Sequence, residues 1–242
     1  MRIHSVVVAA CFALGGCATY TTPGAGVAVG NLSAADQDIA ETLSRKPEAS
    51  FPVRVALARV QAPGYVSGSN SCFGRGRYCV VTARDIESEE DIKRIQSLAG
   101  VAGAIPVNRL LLPQELNSIK DLRLAAAKLK ADMVLVYSLD TRFSVDSQPL
   151  GPLAVVSLGF IKNKNAKVAT TASAVIFDVR SEYVYGVAEF TVTENQKATI
   201  WSSSSVIESA RIKTEQQAVA GLVVEIEKAW KGVMNEHSRA GS

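Results

Sequence analysis

The clearest change of hydrophobic pattern lies in the middle of the chain, between Ser118 and Phe143. Apolar residues first recur at helical spacing and form one face, made of Ile119, Leu122, Ala126 and Leu129. Ser118 precedes this pattern as an N-cap, and Asp121 lies near the positive end of the helix dipole. We therefore expect a helix in the first half of this segment.

The second half of the segment predicts a buried strand. The helical pattern stops near Ala131, and Met133–Leu139 is almost continuously apolar. Such a run is typical of a strand that is covered on both faces of a sheet. We expect Val134 and Val136 on one face and Leu135 on the other, with the preceding helix covering one of them.

The residues before this unit show the same alternation of helical and strand patterns. N-cap serines precede helical spacing, and alternating apolar residues indicate strands. The predicted elements are a helix from Ser33 to Ser44, a strand from Phe51 to Val60, a strand from Cys79 to Ala83, a helix from Ser88 to Ala99 and a strand from Val101 to Val107.

After the central strand the pattern changes to long β-rich runs separated by short polar turns. The runs are Leu153–Ile161, Val168–Val179 and Val184–Thr193, and Thr199–Trp201 is a further short candidate. The capping-box pattern at Thr214 then opens a helix to Asn235 with a wide apolar stripe. The expected fold is α+β (mixed α/β): helix–strand layers on a mixed sheet, an antiparallel meander and a C-terminal amphipathic helix.

The N-terminus has the features of an export signal. Arg2 precedes a short apolar run from Val6 to Leu14, which is too short to span a bilayer. Leu14-Gly15-Gly16-Cys17 then resembles the lipobox of bacterial lipoproteins. This resemblance implies cleavage after Gly16 and acylation of Cys17. The alternative is an ordinary secreted protein in which Cys17 is incidental.

The lipobox divides the chain into four predicted parts. Residues 1–16 are the signal peptide, and residues 17–32 are a flexible lipidated tether rich in Thr, Gly and Ala. Residues 33–236 form a single periplasmic domain, and residues 237–242 are a disordered tail. Ala18 follows the lipidation site where an Asp would favour inner-membrane retention, so the resemblance implies anchoring in the outer membrane, facing the periplasm.

Composition excludes several functional classes. The 242 residues include 26 Lys+Arg and 23 Asp+Glu, and the net charge of +3 is scattered, so we expect no nucleic-acid partner. The two histidines, His4 and His237, lie near the ends, which argues against a histidine-based triad. The sequence has no dinucleotide fingerprint, phosphate-binding loop or nucleophile elbow. We expect no cofactor, no metal site and no catalytic residue.

Two cysteines remain for the folded part, Cys72 and Cys79, which flank Gly74-Arg75-Gly76-Arg77. An exported protein can keep a disulfide, and the spacing with no histidine nearby is a poor zinc signature. We predict a Cys72–Cys79 disulfide, with free thiols as the alternative. The basic segment itself is predicted to be a flexible hairpin tip, since a strand rather than a helix follows it.

Asp140 is the candidate ligand or partner site. It lies at the carboxyl end of the predicted central strand, where α/β sheets often bind ligands. The alternative is a solvated strand end. Other carboxylates begin the helix after Ser88, where they complement the helix dipole.

The core residues resemble the rhombotarget lipoproteins, a family associated with the rhomboid-type protease rhombosortase. The matching segments are Leu129–Tyr137, Thr170–Arg180, Leu110–Pro113 and Val184–Gly186, and the resemblance covers about Pro52 to Trp230. More broadly, Ala131-Asp132-Met133-Val134-Leu135-Val136 is similar to periplasmic α/β lipoproteins of the curli-secretion and penicillin-binding-protein-activator type. The chain lacks a C-terminal Gly-Gly and apolar tail, so we do not expect it to be a substrate of that protease.

Three classes of function follow from these observations. The first is a non-enzymatic module, anchored in the bilayer through acyl chains on Cys17, that binds an envelope protein during envelope or surface-protein assembly. The second is a subunit of an outer-membrane secretion pore to which the meander contributes hairpins. The third is a hydrolase that uses carboxylates.

Overall fold

The computed structural model describes residues 39–67, 70–145, 148–149, 165–197 and 204–240. Its strands are β1 (Val53–Gln61), β2 (Val66–Ser67), β3 (Asn70–Ser71), β4 (Arg75–Gly76), β5 (Cys79–Val81), β6 (Val101–Pro106), β7 (Glu115–Leu116), β8 (Met133–Val145), β9 (Gln148–Pro149), β10 (Asn165–Asp178) and β11 (Val184–Lys197). Its helices are α1 (Ile39–Ser44), α2 (Glu89–Gln96), α3 (Ile119–Lys128) and α4 (Ser204–Ala240), with a 3-10 turn at Arg109–Leu111. None of the helices within these ranges is long and apolar enough to cross a membrane.

A mixed sheet of seven strands organises the fold, with the order β11-β10-β8-β1-β5. β6 also pairs with β1, and β9 pairs with β8. β1 and β8 run parallel, with Leu57 opposite Leu135. β10 runs antiparallel to both β8 and β11, with Ile176 opposite Leu135. The parallel strands and the antiparallel meander therefore belong to one sheet, which confirms the predicted fold class.

The two faces of the sheet bury two separate cores. Val134 and Val136 lie with α3 on one face, and Leu135 lies with α2 and α4 on the other. All three side chains are at most 2% exposed. The continuous apolar pattern of β8 is thus explained by helices on both faces, as predicted.

α4 begins ten residues before the predicted start at Thr214. Thr214 is fully buried inside the helix, and its hydroxyl donates to the Ala210 carbonyl at 2.7 Å. A threonine that bonds the preceding turn in this way is a helix-interior residue rather than an N-cap. The capping-box pattern at Thr214 was therefore a wrong indication of the helix boundary.

The Gly74–Arg77 segment is not a flexible tip. β4 pairs with β7 in parallel, and Gly74 and Gly76 adopt positive φ angles of 95° and 116°. A side chain at Gly74 would collide with Leu116, so glycine permits this close approach. Cys72 and Cys79 form the predicted disulfide, with their Cα atoms 5.5 Å apart.

Asp178 at the end of β10 fixes the chain that enters β1. Its buried carboxylate accepts hydrogen bonds from the backbone of Glu48 and Ala49 and from the Tyr185 hydroxyl, each at 2.8 Å. Burial opposes its ionisation, but these donors and the neighbouring backbone amide of Ser181 outweigh that effect and lower the pKa of Asp178. The carboxylate therefore joins the N-terminal connection to the β10–β11 turn.

Several predictions lie outside the described residues. These are the signal peptide and tether, with Gly16 and Cys17, the first part of the predicted Ser33–Ser44 helix, the Leu153–Ile161 strand and the Thr199–Trp201 strand.

Candidate functional site

Polar and charged side chains, most of them buried and the rest half-buried, lie near the carboxyl end of β1 and in the middle of β8, on the sheet face covered by α2 and α4. We call this set the buried ionic network: Arg59, Ser67, Asp85, Glu87, Tyr137, Thr141, Thr170, Glu208, Arg211 and Glu215. Arg59 is 2% exposed and Arg211 is 0% exposed. Burial of two guanidinium groups requires matched partners, because an unpaired buried charge is strongly unfavourable.

Arg59 anchors one half of the network. Its guanidinium donates to Glu87 at 3.0 Å and to Asp85 at 2.8 Å. The Tyr137 hydroxyl donates to the same oxygen of Glu87 at 2.8 Å. Arg59 and Tyr137 are opposite each other on β1 and β8, so the strand register itself places both groups on Glu87.

Arg211 anchors the other half. It donates two hydrogen bonds to Glu208 and one to Glu215, which lie three and four residues away in α4. A further bond to Ser67 at 2.6 Å connects the two halves, because Ser67 donates to Asp85 at 2.9 Å. The helical spacing thus gives Arg211 two carboxylate partners within its own helix.

Glu215 ties α4 to the central strands. It accepts a bond from Thr141 at 2.8 Å, and Thr141 also contacts Thr170 at 3.0 Å. Burial raises the pKa of Glu215, because desolvation outweighs the attraction of Arg211. For Asp85, burial acts in the same direction, but the hydrogen bond and charge of Arg59 prevail and lower the pKa. Burial raises the pKa of Tyr137 well above its usual value, so it remains a hydroxyl donor.

One end of the network is incompletely paired. Buried polar atoms without a hydrogen-bond partner in the described chain are Arg59 Nε, both amide atoms of Gln61, the Tyr65 hydroxyl and Glu87 Oε2. Gln61 is fully buried, and Tyr65 is 2% exposed. Such atoms mark a place where a small polar group can bind, since buried polar atoms normally have partners.

The carboxylates of the network are paired with arginines and hydroxyl groups. Asp85 accepts hydrogen bonds from Arg59 and Ser67. Glu215 accepts hydrogen bonds from Arg211 and Thr141. Both carboxylate oxygens of Glu208 accept hydrogen bonds from Arg211. In the part of the chain that the structure describes, no cluster of three or more His, Cys, Asp or Glu is arranged to hold a metal ion. These side chains are arranged to join β1, β2, β8, β10 and α4.

A second feature is the outer edge of the sheet. β11 is 14 residues long and pairs with β10, and no other described strand lies beside it. Its Val184–Thr193 segment contains a single charged residue, Glu189. Val187 is 70% exposed and Val184 is 46% exposed. Edge strands are usually protected by charges, prolines or short length. Among the described residues of β11, Glu194 and Lys197 add charge beyond Thr193, so Val184–Thr193 is the less protected part of the edge.

Asp140 lies on β8 on the face opposite the buried ionic network. It forms an ion pair at 2.8 Å with Arg142, whose side chain is 80% exposed. The strand register places Asp140 beside Thr171 of β10, which in turn is beside Thr191 of β11. Asp140 therefore lies on a polar sheet face that continues across β10 to the β11 edge.

The sequence pointed to Asp140 at the predicted end of the central strand, but β8 continues to Val145, and the buried groups beside Asp140 were missed. Thr141, the next residue, points to the other face and joins the network. Signals for the missed residues were present. In β1, Arg59 and Gln61 occupy the same buried face as Leu57. In α4, Arg211 and Glu215 lie on the N-terminal continuation of the apolar stripe.

No protein-family model matches the chain, and no curated protein is significantly similar to it. Among solved structures, a Xanthomonas campestris protein of the DUF330 family aligns over 89% of this chain and 99% of its own, at 13% identity and a TM-score of 0.39. A hypothetical protein of Chlamydia trachomatis aligns over 74% and 97%, at 13% identity and a TM-score of 0.32. A candidate lipoprotein of Caulobacter crescentus aligns over 48% and 77%, at 12% identity and a TM-score of 0.27. No function is transferred from similarities this low.

Proposed function

We propose that the protein is a non-enzymatic lipoprotein of the bacterial envelope that binds an extended segment of a partner protein along the outer edge of β11. The observation that carries this proposal is the length and composition of that edge. Alternate residues of the 14-residue β11 direct their backbone N–H and C=O groups away from β10. Strand addition uses such groups for affinity and the alternating side chains for specificity.

The exposed side chains of β11 support a protein partner. Val187 extends an apolar row across the sheet, opposite Val175 of β10, and then Glu189 and Thr191 follow on the same face. Glu189 accepts a bond from Ser173 at 2.9 Å, and Thr191 contacts Thr171 at 2.9 Å. An added strand would continue these rows, with apolar contacts at Val187 and polar contacts farther along.

The anchoring part of the proposal rests on the sequence. The lipobox before Cys17 and the 21 residues between Cys17 and Ile39 would tether the folded part to a membrane through acyl chains, with the outer membrane as the proposed location.

Photo-crosslinking in cells tests the β11 edge. A photoreactive residue at Thr193, which is exposed on β11, should give a discrete adduct, whereas the same residue at Leu110, which is 85% exposed elsewhere, should not. Val187→Lys should reduce the Thr193 adduct at least tenfold, because an added strand would bury the new charge. Leu110→Lys is the matched control. An adduct that Val187→Lys leaves unchanged would contradict binding at this edge.

A further inference from the structure

Two small cavities meet at Glu87, on the incompletely paired side of the buried ionic network. The first, of about 30 Å³, is bounded by Arg59, Glu87 and Tyr137 together with β5 and the end of β6. The second, also of about 30 Å³, lies between α2, α4 and the sheet. Both are lined by Leu57, Glu87, Ile92 and Tyr137. Glu87 therefore faces a polar space on one side and a largely apolar space on the other.

Glu87 has an unused hydrogen-bond acceptor at this junction. Its side chain is only 8% exposed, and Oε1 accepts from both Arg59 and Tyr137. Oε2 is buried and has no donor in the described residues. Leaving a carboxylate oxygen unpaired in a buried position is costly, so the site favours a ligand that donates a hydrogen bond there.

Charge and shape narrow the class of ligand. The first cavity is lined by Arg59 and Arg84 as well as Glu87, so it does not favour a cation. Among the described residues, the charged groups that line the second cavity are Glu87 and Asp91, both acidic, so a cationic ligand is favoured in the second cavity. The rest of that cavity is mainly aliphatic, from β8 and from α4 residues such as Val219 and Val223. A cationic donor on an aliphatic chain matches both features.

We propose that Glu87 and the cavity between α2 and α4 bind the end of an alkylammonium chain, with the ammonium group donating to Glu87 Oε2. A cavity of this volume holds only the last two or three heavy atoms of the chain, because about 10–15 Å³ is needed for one water molecule. The source of the chain is either a free small amine or the lysine side chain of a partner. This site is independent of the β11 edge.

Titration of the mature full-length protein in detergent with n-propylammonium chloride tests the proposal, with binding followed by amide chemical shifts of residues that line the cavity. n-Propanol is the neutral matched control at the same ionic strength. We expect a dissociation constant for n-propylammonium at least tenfold lower than that for n-propanol. Equal affinities, or no saturable binding of either, would mean that the junction holds only water and would overturn the proposal.

A second ligand distinguishes the two sources. Nα-acetyl-lysine methylamide carries the same terminal atoms on a peptide backbone. If it binds as n-propylammonium does, the cavity mouth admits a partner's lysine side chain. If only n-propylammonium binds, the site takes a free amine. Both results support recognition of an alkylammonium group.

Variants complete the test. Glu87→Gln should weaken n-propylammonium binding at least tenfold, whereas Glu115→Gln at an exposed position of β7 should leave it unchanged. Ile92→Phe fills space in both cavities without a change of charge, and it should also abolish binding. This variant keeps the test decisive if Glu87→Gln disturbs Arg59. Unchanged affinity in a folded Glu87→Gln or Ile92→Phe protein would overturn the proposal.

Discussion

The guanidinium of Arg211 in α4 donates a hydrogen bond to the hydroxyl of Ser67 in β2, 144 residues away in sequence, over 2.6 Å. Arg211 also bonds Glu208 and Glu215 of its own helix, so one fully buried side chain links α4 to β2.

Arg211→Met should therefore be strongly destabilising. It leaves the nearly buried carboxylate of Glu215 without its cation, and loss of one partner of a buried pair costs about 3–5 kcal/mol. Arg142→Met is the matched control, since that side chain is 80% exposed and its ion pair with Asp140 lies at the surface. The control should change the free energy of unfolding by less than about 0.5 kcal/mol in urea titrations. Similar losses in both variants would contradict the central role of Arg211.

The stability contributed by Glu215 should depend on pH. Its pKa is raised in the folded state above 4.5, so the folded protein binds this proton more tightly than the unfolded chain does. Its contribution is fully present below pH 4.5 and is lost as the pH rises through the raised pKa. The difference in unfolding free energy between the wild type and Glu215→Gln should thus shift in favour of the wild type from pH 7 to pH 4.5.

The stability contributed by Asp85 and Asp178 should change with pH in the opposite direction, and at lower pH. Their pKa values are lowered below 3.8, so their contribution is present above 3.8 and is lost as the pH falls through the lowered values. Urea titrations at several pH values separate the two effects. A difference between the wild type and Glu215→Gln that stays constant from pH 7 to pH 4.5 would be inconsistent with the assigned direction for Glu215.

Leu135→Ala should create a cavity in the core beneath α2 and α4. Leu135 is 2% exposed, and truncation at such a site costs about 2–5 kcal/mol. Leu124→Ala in α3 is the same chemical change at a residue that is 53% exposed, and it should cost far less. Denaturant titration of both variants measures the difference. A Leu135→Ala protein within about 0.5 kcal/mol of the wild type would refute this packing.

The Cys72–Cys79 bridge should stabilise the segment that carries β4. Replacement of both cysteines by Ala should lower the free energy of unfolding by about 2–3 kcal/mol, because the bridge restricts a short loop in the unfolded chain. Mass spectrometry of peptides from periplasmic protein, prepared without reductant, should show the two cysteines linked. Two thiols that alkylate freely in that material would show that the bridge does not form in the cell.

Cys17→Ser should release the protein from membranes and block acyl labelling, because the proposed anchor is the set of acyl chains on this residue. Fractionation of cells followed by immunodetection measures the change. Cys11→Ser, within the predicted signal peptide, is the control and should leave membrane partition unaffected. If Cys17→Ser partitions like the wild type, the lipidation site has been wrongly assigned.

The fold was predictable where the pattern is local and strongly periodic. The α3–β8 unit and the opposite faces of Val134 and Leu135 followed from spacing alone. The start of α4 was not predictable, because Thr214 lies in a capping-box pattern yet bonds the preceding helical turn. The parallel β4–β7 pairing was also inaccessible, since its partners are about 40 residues apart and no local pattern connects them.

The candidate site was less predictable than the fold for a physical reason. Arg59 and Arg211 resemble ordinary surface arginines in sequence. The burial of Arg59 depends on Asp85 and Glu87 from a separate segment, and Arg211 bonds Ser67, 144 residues away. Only their positions on otherwise apolar faces distinguished them. Asp140 was predicted to lie at a strand end, but β8 continues to Val145, so Asp140 lies inside the strand, and its neighbour Thr141 faces the network.

α4 also sets a fixed distance between two attachment points. Glu215 is bound by Thr141 near one end of the sheet layer, and the Trp230 indole donates to the Ala99 carbonyl at 2.8 Å after α2. Fifteen residues of helix separate them, about 22 Å at 1.5 Å per residue. A single-residue deletion between them would turn one attachment point by about 100° relative to the other. The helix therefore fixes both the separation and the relative orientation of the two attachment points. Insertions or deletions that preserve both attachments must come close to whole helical turns.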